Sequence, residues 1–301
     1  MLTVAITGAS GFVGSALLRH LSNSGYRVIP VLRKKPIATS QAIQWNPYDI
    51  AGTNPQQWEY LDGVIHLTGE SIAGGRWTPE RKQRILDSRI RSTATLQKIL
   101  ARLQHPPKSV ICASATGFYG NRGSDWVDES SERGVGFLAD VCDAWEREAR
   151  TIEALGIRVV QLRLGMVLSI EGGALAKMLT PFRFGLGGKF GNGQQYMSWI
   201  TLEDLVAAFS FLLRTESIHG AVNAVAPQPV TNTVFTKTLA SVLHRPAFAT
   251  VPAVVLKTIL GEMAQELLLD GVRVKPQVLL DHDFPFRDPD LRTALQHLLS
   301  R

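Results

Sequence analysis

The sequence has few cysteines and no long hydrophobic run. Its 301 residues include two cysteines, Cys112 and Cys142, each in an apolar context. This number is too small for a disulfide scaffold or a thiolate zinc site, and it is typical of proteins from a reducing cytosol. The most apolar stretch, residues 253–269, carries Lys257 and Glu262 and is shorter than the roughly 20 apolar residues of a transmembrane helix. We therefore expect a cytoplasmic protein without a membrane-spanning segment.

Several short motifs of known chemistry are also absent. Residues 2–7 form an apolar, strand-like run with no basic segment before it and no cleavage site after it, so we expect no secretory signal. The seven histidines show neither His-x-His nor His-Glu-x-x-His spacing, and there is no Walker loop and no Gly-x-Ser-x-Gly elbow. The sequence therefore predicts no metal site and argues against kinase and serine-hydrolase chemistry.

Basic residues exceed acidic ones, with 32 Lys and Arg against 26 Asp and Glu and a formal net charge of +6. The densest basic stretch, residues 76–91, lies within one predicted helix. A basic helix face is more often solvated surface than a nucleic-acid contact, and no zinc finger or RNA-recognition motif accompanies this one. We therefore expect no nucleic-acid partner.

Short apolar runs rich in β-branched residues alternate with helical periods through the first 225 residues. This alternation predicts an α/β fold, a Rossmann-type doubly wound parallel sheet covered by helices on both faces. The predicted strands are residues 2–7, 28–32, 63–67, 110–113, 159–164 and 222–226. The predicted helices are residues 12–24, 79–103, 138–155 and 202–213.

The sequence pattern changes after residue 226, where prolines interrupt shorter helical segments. A glycine-rich stretch at residues 185–193 also interrupts the first region. We interpret residues 1–225 as the nucleotide-binding domain, with residues 166–200 contributing to a substrate lobe. Residues 226–301 are then a smaller C-terminal lobe that covers the open edge of the sheet.

A glycine-rich turn joins the first predicted strand to the first helix. Gly8, Gly11 and Gly14 have the spacing Gly-x-x-Gly-x-x-Gly, one residue looser than the dinucleotide fingerprint. The first glycine permits a sharp turn, the second lets backbone approach a pyrophosphate, and the third lets helix and strand pack closely. The N-terminus of a helix attracts an anion. The predicted cofactor contacts are Gly8, Ser10, Gly11, Phe12, Val13, Gly14, Thr68 and Gly69.

Arg33 and Lys34 follow the second predicted strand. An NAD site favours a carboxylate here to accept from the ribose 2′-hydroxyl, whereas a 2′-phosphate favours a cation. The two basic residues therefore predict NADP (NADPH) as the cofactor. The alternative is an ordinary exposed loop.

Further motifs span nearly the whole chain. Two of these motifs lie on or directly after predicted strands of the sheet, Asp62-Gly-Val-Ile-His-Leu-Thr-Gly-Glu70 and Ser114-Ala-Thr-Gly-Phe-Tyr-Gly120. The others are Ser88-Arg89, Trp145-Glu146, Gly172-Gly-Ala-Leu175, Phe182-Arg-Phe-Gly-Leu-Gly-Gly188, Ser198-Trp-Ile200, Asn223-Ala-Val-Ala-Pro227 and Arg245-Pro246. With these motifs the chain resembles the extended short-chain dehydrogenase/reductases, and within them the atypical epimerase family that is often described as nucleoside-diphosphate-sugar epimerases.

The resemblance implies a Rossmann core, a nicotinamide cofactor and a C-terminal lobe that shapes a substrate cleft. Residues 246–295 resemble the family's small C-terminal domain of unknown role. The implied activity is that of an NADP-dependent oxidoreductase or epimerase-like enzyme acting on a small polar substrate. We expect a monomer or a homodimer.

The chain departs from the superfamily at its catalytic pair. Extended reductases use Tyr-x-x-x-Lys, in which the lysine lowers the pKa of the tyrosine and the phenol moves a proton. None of the five tyrosines here has a lysine four residues later. On the helix where the pair should fall, one register places Cys142 and Glu146 at the two positions, and another places Leu138 and Cys142 there. The alternative function is therefore a non-catalytic NADP(H)-binding sensor or scaffold.

Four residues are candidates for the catalytic roles that the absent Tyr-Lys pair leaves unfilled. Ser114 lies where the superfamily keeps a hydroxyl that hydrogen-bonds the reacting oxygen, and Thr116 is an alternative to it. Glu70 follows the strand at residues 63–67 and is either a general base or an ion-pair partner of Arg89 or another basic side chain. Tyr119 is either a proton carrier or a packed aromatic.

The remaining predictions concern the pocket and the core. The predicted substrate contacts are Arg89, Arg183, Gln194, Gln195 and Trp199, and the glycines around the last four suggest a mobile loop. We expect two other polar side chains, Cys142 and His66, to be packing residues.

Overall fold

A seven-stranded parallel sheet lies at the centre of the protein. The computed structural model describes residues 1–33, 42–49 and 52–300. The strands are β1 (Thr3–Thr7), β2 (Arg27–Leu32), β3 (Ile43–Gln44), β4 (Gly63–His66), β5 (Ser109–Ala115), β6 (Trp126–Val127), β7 (Arg158–Leu164), β8 (Met166–Leu168), β9 (Gly188–Phe190), β10 (Tyr196–Met197), β11 (Trp199–Thr201), β12 (Gly220–Ala224), β13 (Val230–Thr231), β14 (Ala249–Val251) and β15 (Arg273–Val274). The central sheet has the order β12-β7-β5-β4-β1-β2-β3, and the other strands form two-stranded pairs.

Helices connect these strands. They are α1 (Phe12–Asn23), α2 (Pro79–Leu100), α3 (Phe137–Arg150), α4 (Gly173–Arg183), α5 (Leu202–Arg214), α6 (Asn232–Val242), α7 (Ala253–Leu260), α8 (Glu262–Ala264), α9 (Gln277–Asp281) and α10 (Leu291–Leu299). Short 3₁₀ turns cover Pro55–Trp58, Thr116–Tyr119 and Thr151–Leu155, and a π-helical turn covers Gln265–Leu269. Among the described residues, no helix combines the length and the hydrophobicity that a bilayer crossing requires.

The sheet is buried on both faces because its strands are apolar on both sides. Val4 and Ile6 of β1 pack with Leu17 of α1 and Phe209 of α5 in one core cluster. Ala5, between them, lies on the opposite face in a second cluster, which also contains side chains of α2 and α3. This arrangement confirms the predicted α/β fold with a doubly wound parallel sheet.

The predicted elements agree with the structure to within a few residues, whereas α4, α9, α10 and the strands outside the central sheet were not predicted. The short edge strand β3 was not predicted, because two residues carry no periodicity. The predicted helix at residues 138–155 is α-helical to Arg150 and continues as a 3₁₀ turn, which ends at Gly156 with a left-handed φ of 74°.

A third core cluster joins the smaller C-terminal portion of the chain to residues 166–200. Leu175 and Leu179 of α4 and the buried Trp199 pack with Phe235 of α6 and Leu295 of α10. The glycine-rich stretch also connects the two segments, since β9 pairs in parallel with β14. The strand order reverses between β1 and β4, and open α/β sheets bind ligands beyond the carboxyl ends of the strands at such a point.

Candidate functional site

The glycine turn has the geometry of a dinucleotide-binding turn. Gly8 adopts a left-handed φ of 68°, and its carbonyl accepts a hydrogen bond from the amide of Gly11 at 2.9 Å. A Cβ on Gly14 would lie 2.2 Å from the carbonyl oxygen of Gly8, so only glycine allows α1 to pack this closely on the turn. Helix α1 has no acidic residue in its first turn and no side-chain cap at Gly11, so its N-terminus is suited to an anion.

The turn also contacts the 166–200 segment. The Phe12 ring lies against the glycine pair of the α4 N-terminus: a Cβ on Gly172 would lie 2.8 Å from the ring and one on Gly173 would lie 3.2 Å from it. Of the other predicted cofactor residues, Ser10 is exposed and Val13 is half-buried at the start of α1. The first turn of α1 therefore connects the sheet edge to the lobe beside the cleft.

The remaining predicted cofactor residues lie at the same edge of the sheet. Arg33 is exposed directly after β2, and Lys34 lies outside the described residues. Thr68 and Gly69 follow β4, which is the neighbour of β1. A Cβ on Gly69 would lie 3.2 Å from the guanidinium carbon of Arg89, so this loop and α2 are in close contact.

A cavity of about 480 Å³ opens beside these loops. Ser114, Thr116 and Arg89 line it, together with Cys142 and Gln195. Its wall is mainly apolar; the apolar lining residues include Leu138, Val141, Met166, Met178, Phe190 and Leu267. An apolar cavity with a few convergent polar groups at this edge of an α/β sheet is the usual form of a small-molecule site.

A buried ion pair lies behind Ser114. The Ser114 hydroxyl donates to Glu146 Oε1 at 2.7 Å, and Arg163 donates to both oxygens of the same carboxylate at 2.8 Å. Both charged side chains are at most 5% exposed. Burial lowers the pKa of Arg163, but the hydrogen bonds and the charge of Glu146 outweigh burial and raise the pKa above its usual value. The carboxylate therefore sets the rotamer of Ser114.

The same guanidinium holds Tyr119 away from the cavity. Arg163 donates to the Tyr119 hydroxyl at 2.8 Å, and that hydroxyl donates to Asn223 Oδ1 at 2.7 Å. Tyr119 is fully buried, and burial raises the pKa of its phenol to about 12. This geometry does not support the prediction that Tyr119 carries a proton to a substrate, because the hydroxyl faces the core. It favours the alternative of a packed aromatic.

Glu70 lies at the predicted sheet edge but outside the cavity lining. Its carboxylate is 3.9 Å from nitrogens of Arg81 and Arg84, and its backbone amide donates to the Ser88 hydroxyl. The side chain is 38% exposed, so these ion pairs are weak. These contacts favour the alternative of an ion-pair partner, with Arg81 and Arg84 as the basic side chains.

The predicted substrate residues divide by their place relative to the cavity. Arg89 and Gln195 line it, and Gln195 donates to the carbonyl groups of Phe190 and Leu268. Arg183 and Gln194 are exposed and lie outside the lining.

The structure does not support a role in substrate binding for the remaining predicted residue, Trp199. Its ring is fully buried, and its indole N–H donates to the carbonyl of Gln228 at 3.1 Å.

The helix that should carry the Tyr-Lys pair presents apolar groups instead. Leu138 and Cys142 face the cavity, one turn apart, and Glu146 lies behind Ser114. Burial raises the pKa of Cys142 to about 11, so its thiol stays neutral near pH 7. His66 is a core histidine, as predicted: it is fully buried, and burial lowers its pKa to about 3.

Sequence reasoning missed the partners of Ser114. Arg163 lies at a buried position of β7, and Glu146 occupies a buried position of α3. A charged residue on a buried strand and one of opposite sign on the buried face of a helix were an available signal for an ion pair, since buried charges require partners. A further missed residue is Glu266, which lines the cavity and accepts the amides of Phe137 and Leu138 at the N-terminus of α3.

Glu203, Asp288 and His297 lie close enough together to hold a metal ion. However, the Arg287 guanidinium donates to Glu203 at 2.6 Å and contacts His297 at 2.8 Å. A positive charge already compensates this group, which disfavours a cation there.

Comparisons with known proteins agree with this geometry. Residues 4–224 match the NAD dependent epimerase/dehydratase family, and residues 251–298 match a domain of unknown function, DUF1731. An epimerase family protein of Mycobacterium bovis is 39% identical over 298 residues, covering 99% of this chain and 98% of the relative. One from Staphylococcus aureus is 36% identical over 297 residues, covering 98% of each chain.

Solved structures give the same assignment. The crystal structure of the human epimerase family protein SDR39U1 (isoform 2) with NADPH has a TM-score of 0.92 and 31% identity, covering 100% of both chains. A nucleoside-diphosphate sugar epimerase from Corynebacterium glutamicum has a TM-score of 0.82 and 34% identity, covering 99% of this chain and 58% of that one. The chain therefore belongs to the NAD-dependent epimerase/dehydratase family, as its motifs predicted.

Proposed function

We propose that the protein binds NADP(H) and acts as an oxidoreductase or epimerase-like enzyme on a small polar substrate. The glycine turn fits such a cofactor, because Gly8 and Gly14 leave a cradle that a Cβ would fill and α1 presents an uncapped N-terminus. We propose that these residues hold the pyrophosphate, with Ser10, Gly11, Phe12, Val13, Thr68 and Gly69 around it. NADPH in the related human structure supports the choice of nicotinamide cofactor.

The choice of NADP over NAD rests on Arg33 and Lys34. Arg33 is exposed after β2, where it can approach a ribose 2′-phosphate. A guanidinium donates several hydrogen bonds to a phosphate, whereas a ribose hydroxyl would favour a carboxylate at this place.

The observation that supports catalysis is the hydroxyl of Ser114 at the cavity wall. Because the Ser114 hydroxyl donates to Glu146, its oxygen keeps lone pairs that can accept a hydrogen bond from a substrate hydroxyl in the cavity. When bound, the nicotinamide would supply hydride exchange with the substrate carbon. Ser114 orients the substrate oxygen, and Thr116 is a second hydroxyl on the same wall.

A proton carrier is also needed, and Glu70 is the better of the two predicted candidates. Tyr119 is enclosed in the core, whereas Glu70 is partly exposed and its charge acts on Arg89 at the cavity wall. Residues 166–200 and 226–301 supply much of the remaining wall and act as the substrate lobe in this proposal.

The alternative is a non-catalytic NADP(H) sensor or scaffold. It is favoured by the apolar pair Leu138 and Cys142, which lines the cavity where the superfamily keeps its acid and its lysine. Cofactor binding alone would then change the protein's interactions.

Cofactor binding is tested by calorimetric titration of the purified protein with NADPH and NADH. We expect tighter binding of NADPH, and we expect Arg33→Glu with Lys34→Glu to weaken NADPH about tenfold or more with little effect on NADH. Arg27→Glu is the matched control, because Arg27 is exposed at the opposite end of β2. Equal losses for both cofactors would contradict the NADP assignment.

Catalysis is tested by following nicotinamide absorbance with carbonyl compounds and the formation of epimers with sugar nucleotides. We expect turnover with at least one small polar class, and we expect Ser114→Ala to lower kcat with little change in NADPH affinity. Tight NADPH binding without turnover across both panels would favour the sensor.

A further inference from the structure

Arg89 brings a positive charge to the cavity wall without a carboxylate to neutralise it. The guanidinium lines the cavity, and among the described residues no acidic side chain is in ion-pair contact with it. The acid that acts on it, Glu70, contacts Arg81 and Arg84 instead. A guanidinium that is partly removed from water favours an anionic partner, because desolvation penalises an isolated charge.

The contacts of Arg89 fix its orientation and leave donors unused. One terminal nitrogen donates to the carbonyl of Ile85 at 2.9 Å, and no other hydrogen bond from this guanidinium is formed within the described part of the chain. The guanidinium carbon lies 5.1 Å from the centroid of the Trp145 ring and packs against Gly69. The residue is half-buried, and burial lowers the pKa of its guanidinium. An arginine held in this way is prepared for a planar, bidentate anion.

The other charged groups on the cavity wall already have partners. Both oxygens of Glu266 accept backbone amides, and Asp270 accepts hydrogen bonds from Gln265 and Asn121. Among the described residues, Arg89 is thus the charged lining group that lacks an ion-pair partner and forms one side-chain hydrogen bond.

Arg89 and Ser114 both lie near the thiol of Cys142. Burial raises the pKa of Cys142, and the charge of Arg89 and the side chain of Ser114 both act in the opposite direction. All three side chains line the same cavity. A single small ligand can therefore touch both Arg89 and Ser114.

We propose that Arg89 binds an anionic group of the substrate, a carboxylate or a phosphate, while the apolar body of the ligand lies along the cavity toward Ser114. This inference rests on the proposed function and names its substrate class: small organic anions with an apolar portion. The apolar wall formed by Leu138, Met166 and Phe190 would exclude strongly hydrated, uniformly polar ligands.

The test compares probes that share an apolar ring and differ in charge. Benzoate, phenyl phosphate and neutral benzamide are titrated into the protein with and without saturating NADPH, and binding is measured by calorimetry. We expect at least one anion to bind about tenfold or more tighter than benzamide. We expect Arg89→Gln to abolish this preference, Arg89→Lys to retain part of it, and Arg91→Gln, on the exposed side of α2, to leave it unchanged.

Two results would overturn the inference. One is wild-type protein that binds benzamide as tightly as both anions. The other is a preference that survives Arg89→Gln. If NADPH affinity also falls in that variant, Arg89 serves the cofactor phosphates instead. Thermal melting checks that each variant is folded. If Arg89→Gln does not fold, the wild-type preference and its partial retention in Arg89→Lys decide the question.

The outcome is separable from that of the proposed function. Anion preference without NADPH binding would contradict the proposed function and leave the anion site standing. NADPH binding without anion preference would contradict the anion site and leave the proposed function standing.

Discussion

At the scale of single residues, the Glu146–Arg163 pair organises the site. It fixes the hydroxyl of Ser114 on one side and that of Tyr119 on the other. We expect Arg163→Met to lower the free energy of unfolding by about 3–5 kcal/mol, because it leaves the Glu146 carboxylate buried without a partner. Urea denaturation measures the change.

A double variant provides the control for this prediction. Glu146→Leu with Arg163→Met removes both charges, so it should recover part of the stability lost by Arg163→Met alone. A double variant that loses the sum of the two single losses would show that the pair does not act as a unit.

The buried residue His66 makes the stability of the folded protein depend on pH. Its Nδ1 contacts the Thr7 hydroxyl at 2.8 Å, and burial lowers its pKa from 6.5 to about 3. Between these values the unfolded chain binds a proton that the folded protein does not. Stability should therefore fall as pH decreases from 6.5 toward 3, by at most about 1.4 kcal/mol per pH unit from this group.

The measurement is urea denaturation between pH 4.5 and pH 7, about the range in which the two states differ in protonation. We expect His66→Asn to flatten the dependence, and we expect the exposed His219→Gln to keep it. Parallel curves for the wild type and His66→Asn would contradict the assignment.

At the scale of elements, the first turn of the fold depends on glycine at one close contact. We expect Gly14→Ala to destabilise the protein by about 1–3 kcal/mol and to abolish NADPH binding, because the added Cβ would collide with the carbonyl of Gly8 and push α1 away from β1. Calorimetry with NADPH and thermal melting give the two readouts.

Gly25→Asn is the matched control for this change. Gly25 has a φ of 80°, a Cβ added to it would meet no atom within 4 Å, and asparagine tolerates this conformation. We expect this variant to keep NADPH affinity. Unchanged affinity in Gly14→Ala would show that the turn tolerates displacement of the helix.

Most elements could be predicted from the sequence because their signals are local. Thr78 and Pro79 start α2 as expected: the threonine side chain accepts the amide of Arg81, and the proline lies at the first helical position. The strand β3 could not be predicted, since two residues are held in place by pairing with β2 alone.

At the scale of the whole molecule, the C-terminal portion completes a core that the first 225 residues leave open. Leu179 and Trp199 pack with Phe235, Leu239 and Leu295. We expect a chain truncated after residue 225 to lose its cooperative unfolding transition and become protease-sensitive, because this cluster would face water. Circular dichroism melting and limited proteolysis test this. A truncated chain that melts cooperatively near the temperature of the full protein would contradict it.

The sequence by itself determined the sheet, the glycine turn and the family, and it placed Ser114, Thr116 and Arg89 among the candidates. These conclusions follow from periodicity and from spacings of a few residues, which local backbone geometry controls. It left Tyr119 and Glu70 with two roles each, because the partners that distinguish those roles are brought to them by the fold.

Only the tertiary structure decided which charges meet. Packing of α3 on β7 brings Glu146 to Arg163, and β12 brings Asn223 to Tyr119, 104 residues away in sequence. The same packing leaves Arg89 facing a cavity while its neighbours Arg81 and Arg84 approach Glu70. A charge on a helix looks the same in sequence whether it is paired, solvated or facing a ligand, since burial and partners are properties of the assembled fold.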